Sequence, residues 1–163
     1  MEAVRIEETM VAARAFLGAI LPNEVGPRTF EVICIRAGQA NGLMYPASAL
    51  ERSVTEGLWE GATVFSNHAG PLDDGRPGGR AIEDVAGVLS QVRFTGQAVI
   101  GRLSCSGPKG ELVADLARQV LASQRRGEVA PNVGLSADLF VERRPGRNEV
   151  ARIVRVNSLD VVY

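Results

Sequence analysis

The stretch Pro131-Asn132-Val133-Gly134-Leu135-Ser136-Ala137-Asp138-Leu139-Phe140-Val141 constrains this chain more than any other. Val133, Leu135, Ala137, Leu139 and Val141 alternate without a fault. Successive side chains of an extended strand point to opposite faces, so these residues read as one row facing a core. Ser136 then points the other way, with Gly134 on its own face two residues before it. A missing side chain beside a hydroxyl leaves room for a substrate backbone. The plainer reading is an outward serine on a half-buried strand.

Other segments read as strands by the same logic. Thr29 to Arg36 alternates Phe30, Val32 and Cys34 with Glu31, Ile33 and Ile35, a largely buried strand. Ala62 to Phe65 reads as a short strand, and Val85–Phe94 and Ala98–Ser104 form a hairpin about Thr95-Gly96-Gln97. Val150–Val156 is a further strand. In the closing Ser158–Tyr163, Leu159, Val161 and Tyr163 share one face and leave Asp160 with Ser158 on the other. Gly38 to Gly42 is a turn built on two glycines and Asn41.

Helical spacing appears in fewer places. Residues 2–21 place Ile6, Met10, Ala13, Phe16, Leu17 and Ile20 at three- and four-residue steps, an amphipathic helix stopped at Leu21-Pro22. Pro46 opens a short helix to about Glu56, with Gly57 as its stop. Glu111 to Arg126 carries Leu112, Val113, Leu116, Ala117, Val120 and Leu121 as a stripe, with Glu111 and Arg125-Arg126 suited to the two ends of the dipole. The elements sum to a mainly β, α+β chain.

Composition narrows the function. The net charge of −1 offers no global field for nucleic acid or anionic membrane, and Arg125-Arg126 and Arg143-Arg144 are short clusters suited to a helix end and a solvated turn. No apolar run approaches a membrane span, and the acidic N-terminus (Glu2, Glu7, Glu8) does not read as a signal peptide. Cys34 and Cys105 lie outside any CxxC spacing and read as two buried thiols, with a single disulfide as the other possibility. Gly70 to Arg80 is too rich in Gly, Pro and Asp for regular structure and reads as a mobile surface loop. Its Asp73-Asp74-Gly75 lacks the alternating ligands of a calcium loop, so neither a metal nor a cofactor is expected.

His68 is the sole histidine and follows the strand that ends near Phe65. Imidazole is the side chain best suited to moving a proton near neutral pH. Serine needs such a base within hydrogen-bond reach, and the base needs a third group to hold its tautomer. His68, Ser136 and Asp160 are candidates for those roles on three separate strands, and their meeting depends on the fold. Asp138, Glu83, Asp84, Asp73 and Asp74 are rival carboxylates for the third place.

The order of short motifs resembles the capsid maturation (prohead) serine proteases of tailed bacteriophages, which in turn resemble the herpesvirus assemblin proteases. The matching pieces are Ile35-Arg36-Ala37-Gly38 through Asn41-Gly42 with Tyr45-Pro46, Val64-Phe65-Ser66-Asn67-His68, Val85-Ala86-Gly87-Val88-Leu89, Gly134-Leu135-Ser136-Ala137, and Val156 through Val162. They span Thr29 to Tyr163. The resemblance implies a small closed or nearly closed antiparallel β-barrel with flanking helices, with residues 1–28 as an N-terminal helical segment and 29–163 as the protease domain.

It also implies His68 as general base, Ser136 as nucleophile and Asp160 as third residue. Assemblins use a second histidine there; this chain has none, so its third member is a carboxylate or is missing. Three residues follow Asp160 in this sequence, so the assemblins' oxyanion-hole loop is not within it and its donor is unassigned; a shortened chain and self-cleavage are both open as the reason. The implied substrates are the phage scaffold protein, the major capsid protein and the protease itself, cut inside the assembling prohead in the host cytoplasm. A homo-oligomer is expected, with no nucleic acid or membrane partner. The alternative of a different class is a non-enzymatic barrel serving as scaffold or capsid-assembly protein.

Overall fold

The computed structural model describes residues 10–67 and 80–162. Among the described residues nine strands and two helices follow one another: β1 (Met10–Gly26), β2 (Thr29–Arg36), β3 (Gly38–Ala40), β4 (Leu43–Tyr45), α1 (Ala47–Thr55), β5 (Thr63–Ser66), β6 (Val85–Phe94), β7 (Ala98–Cys105), α2 (Gly110–Arg126), β8 (Gly134–Arg143) and β9 (Val150–Val162). A single 3₁₀ turn, Ile82–Asp84, precedes β6. The described residues are thus mainly β, with two helices.

Seven of the strands pair in the order β1-β2-β7-β6-β5-β9-β8, and β8 pairs back onto β1, so the ring closes. Closure removes the unpaired edges that a sheet of this size would otherwise expose. One pairing departs from the antiparallel expectation: β5 runs parallel to β9, with Val64 beside Leu159, Phe65 beside Asp160 and Ser66 beside Val161. That pairing links segments nearly a hundred residues apart in sequence, and nothing local in a four-residue strand announces it.

The largest correction is at the N-terminus. Residues 10–21, expected as part of an amphipathic helix, are strand β1; residues 1–9 lie outside the described residues. Hydrogen bonding to two neighbours, β2 on one side and β8 on the other, overrides the three- and four-residue spacing. Pro22, expected as a helix stop, falls inside the strand at the irregular register between Ile20 and Glu24. A residue without an N–H is tolerated at such a break in the ladder. Instead of standing apart as a helical segment, this part of residues 1–28 is a stave of the ring.

The interior follows the alternation. Leu135, Ala137, Leu139 and Val141 of β8 are fully buried, and Leu159 and Val161 of β9 join them in one core with Phe30, Val32, Val64, Leu89 and Leu103. The segments expected as Val150–Val156 and Ser158–Tyr163 are one strand, β9, through Val162. Gly87 and Gly101 admit close crossings: a Cβ on Gly87 would stand 2.4 Å from the Ser104 carbonyl oxygen.

Both helices lie where their spacing and caps place them. Helix α1 starts after Pro46 and gives way to Gly57, whose φ of 73° suits glycine. Its Ser53 hydroxyl donates to the Leu50 carbonyl and accepts from the indole N–H of buried Trp59 at 2.8 Å. Helix α2 ends at Gly127 in the left-handed region and buries Val113, Ala114, Ala117, Val120 and Leu121. Leu112, expected in that stripe, is half exposed. The cysteines are free and buried; burial alone pushes Cys34 up and dominates at Cys105, which rises to about 11.

Candidate active site

Strands β8 and β9 set Ser136 directly opposite Asp160. Residues facing each other across an antiparallel pair hold their Cβ atoms roughly 4.5–5.5 Å apart on the same side of the sheet. That side is the one turned away from Leu135, Ala137, Leu159 and Val161. Asp160 has a second neighbour in Phe65 of β5, which pairs with it across the parallel ladder. The structure therefore brings together two of the three residues expected to carry chemistry.

The third, His68, lies outside the described residues, as do the loop residues Gly70–Gly79 with Asp73 and Asp74. The chain up to its doorstep is described. β5 ends at Ser66, and the Asn67 N–H donates to the Val161 carbonyl at 2.7 Å. Asn67 adopts a φ of 65°, a left-handed conformation that asparagine tolerates better than most residues. Strand β5 is thereby tied to β9 one residue past Asp160, immediately before His68.

Ser136 points away from the inner row, as expected, but it is fully buried, whereas the plainer reading places an outward serine on a half-buried strand. Its hydroxyl has no hydrogen-bond partner among the described residues. A hydroxyl in that condition carries a desolvation penalty of about 1–3 kcal/mol, and such a group in a native fold calls for an explanation.

Asp160 is also fully buried, and its Oδ1 accepts from the Ser158 hydroxyl at 2.9 Å and from Arg80 Nη1 at 3.2 Å. Burial pushes its carboxyl above the ordinary carboxylate range; the charge of Asp138 adds to that rise, while Arg80 and the Ser158 hydroxyl pull the other way. Among the rival carboxylates, Asp138 faces Ser158 across the ladder and accepts from the Asn157 amide at 3.4 Å. Glu83 and Asp84 belong to the 3₁₀ turn, where the Asp84 carbonyl accepts from the Ser66 hydroxyl.

Arg80 escaped the reading of the sequence. Besides Asp160, its guanidinium donates through Nη2 to the Asn67 carbonyl at 2.7 Å and lies over the Phe65 ring, 4.3 Å from its centroid. No local signal marks it, because it sits at the end of a Gly/Pro-rich run and 80 residues from its carboxylate. Ser158 carried a weak signal: its place on the Asp160 face was readable from the alternation.

A hollow of about 210 Å³ opens beside Asn67, between α2 and the ends of β5 and β9. Leu112, Leu116, Val133 and Val161 give it apolar walls, and Lys109 and Asp84 stand on it as charged groups. Among the described residues no cluster of side chains suits a metal ion, and no helix is long and apolar enough to cross a membrane.

No protein-family model matches this chain, and no curated protein matches it. In fold it is similar to the capsid assembly protease of bacteriophage T4, over 95% of this chain and 98% of that one, with a TM-score of 0.57 and 17% sequence identity. A likeness at that identity establishes a shared architecture.

Proposed function

We propose that this protein is a serine endopeptidase of phage capsid maturation, with Ser136 as nucleophile, His68 as general base and Asp160 as the group that orients it. The observation that carries the proposal is the buried Ser136 hydroxyl set opposite the buried Asp160 carboxylate on adjoining strands. The shared architecture with a phage capsid assembly protease supports the same reading. So does the tie between Asn67 and Val161, because His68 is one peptide bond beyond Asn67.

The chemistry is acyl transfer. Ser136 Oγ attacks the carbonyl carbon of a peptide bond as its proton passes to His68, and the tetrahedral intermediate expels the amine, which takes that proton from His68. Water then gives a proton to His68 and attacks the acyl ester, and Ser136 leaves with the proton returned. Asp160 holds the imidazole tautomer and stabilises the imidazolium in both halves. The oxyanion donor is unassigned, and its loss from a site of this kind typically lowers the rate by about 10²–10³.

Scaffold protein, major capsid protein and the enzyme itself are the proposed substrates, cut inside the assembling prohead by a homo-oligomer. Because Ser136 is fully covered, a substrate carbonyl reaches it only once that face opens. This fits an enzyme held quiet until assembly; equal proteolysis by free and assembled enzyme would remove that part of the proposal.

Co-expression with the scaffold and major capsid proteins, for wild type and Ser136→Ala, tests the function. Shortened products seen by mass spectrometry with wild type alone establish the peptidase. Identical uncut proteins in both lanes favour the non-enzymatic assembly role.

A further inference from the structure

Among the described residues Arg80 makes three contacts that no ordinary surface arginine combines. Nη1 reaches the Asp160 carboxylate, Nη2 reaches the Asn67 carbonyl, and the guanidinium carbon lies over the Phe65 ring. The side chain is only 12% exposed, and its carboxylate partner is fully buried. All three contacts belong to one corner: Phe65 pairs with Asp160 across the parallel ladder, and Asn67 is the residue before His68. A planar guanidinium presents its donors in a fixed fork, so two acceptors held by one fork are fixed relative to each other.

We propose that Arg80 is the positioning residue of this site, one guanidinium that locks Asp160 and the end of the strand leading to His68 into a single geometry. The inference rests on the peptidase reading above and adds to it the device that sets its alignment. Among the described residues Arg80 reaches Asp160, Asn67 and Phe65 and makes no hydrogen bond to the Ser136 hydroxyl. It acts through Asp160, whose other charged and polar neighbours among the described residues are Asp138 and Ser136 on β8 and Ser158 on β9. Attraction to the Phe65 ring helps hold the guanidinium there while both nitrogens are engaged.

Removing the guanidinium has two consequences with different signatures. Alignment is lost, and a misplacement near 1 Å lowers such a rate by about 10²-fold. A positive charge also disappears beside the acid, so Asp160 and the base paired with it both hold their protons to higher pH. Lysine at the same position keeps the charge but offers a compact ammonium that does not present the two-acceptor fork.

The test compares full-length wild type, Arg80→Met and Arg80→Lys. One readout is the rate at which a small fluorophosphonate labels Ser136 from about pH 5 to 8. The other is the carboxyl-carbon NMR titration of Asp160, assigned with Asp160→Asn. Arg80→Met is expected to label about 10²-fold more slowly, with its acid limb and the Asp160 titration displaced together to higher pH. Arg80→Lys is expected to restore the acid limb without restoring the rate.

Wild-type rate and acid limb in Arg80→Met overturn the proposal, as does a lowered melting temperature with both kinetic features intact. If Arg80→Met does not fold, Arg80→Lys decides: a full wild-type rate there overturns the fork. Wild type left unlabelled at every pH, both free and co-expressed with the scaffold and major capsid proteins, overturns the serine-peptidase reading, and the positioning role with it; a displaced Asp160 titration in Arg80→Met would then mark a structural ion pair.

Discussion

Around Ser136 and Asp160 the two faces of β8 and β9 are both buried and made of opposite materials. On the inner face Leu135, Ala137, Leu139, Leu159 and Val161 are buried as apolar side chains packed on one another. On the other face Ser136, Ser158 and Asp160 are buried as polar ones. Burial of an apolar side chain stabilises by removing its surface from water. Burial of a hydroxyl or a carboxylate opposes folding unless partners replace the lost water. The inner face therefore explains why the chain folds, and the outer face is where the fold carries groups that do not stabilise it. Strained or unsatisfied polar groups retained at such a cost mark sites of function.

The largest expected effect separates the faces most sharply. Ser136→Ala should abolish fluorophosphonate labelling and self-cleavage, a loss near 10⁶-fold if serine acts as the nucleophile. The same variant should melt no lower than wild type, because the hydroxyl removed has no partner among the described residues. A large fall in melting temperature would show that Ser136 is a structural residue.

Leu139→Ala on the inner face should do the reverse. It empties a fully buried position and should lower unfolding free energy by about 2–5 kcal/mol in urea titrations, with labelling per folded molecule retained. Gly87→Ala should cost about 1–3 kcal/mol, since its Cβ would meet the Ser104 carbonyl oxygen at 2.4 Å. A neutral Gly87→Ala would mean that β6 and β7 shift apart freely at that crossing.

The smallest effect is electrostatic. Asp160 is held above the ordinary range chiefly by burial, so the native state binds its proton more tightly than the unfolded chain does. Between the unfolded value of about 3.9 and the folded one, stability from this group falls as pH rises. Asp160→Asn lacks that dependence, so its urea midpoint relative to wild type should climb on going from acid to neutral pH. A difference that stays flat across that range would mean that Arg80 and Ser158 offset the burial completely.

How much of this was legible divides along the same line. The alternation of Val133 to Val141 gave the inner face, and Leu159 with Val161 extended it, because a two-residue period has one outcome once a core exists. Helix α2 and the left-handed glycines that end both helices were equally local. Strand β1 was not: Ala13, Phe16, Leu17 and Ile20 fit a helical stripe, and only pairing with two distant strands decides otherwise. On the outer face, residue types named Ser136 and Asp160 as candidates, and the register that makes them neighbours belongs to the fold. Arg80 was beyond reach, since its role exists only through contacts with Asp160, Asn67 and Phe65.

One measurement bears most directly on the central claim: intact-mass and peptide mapping of fluorophosphonate adducts in wild type, His68→Ala and Asp160→Asn, each co-expressed with the scaffold and major capsid proteins. The account predicts a single adduct on Ser136 in wild type, none in His68→Ala and a severely slowed one in Asp160→Asn. An adduct that forms on Ser136 at the same rate without His68, or that maps to another residue, would contradict it.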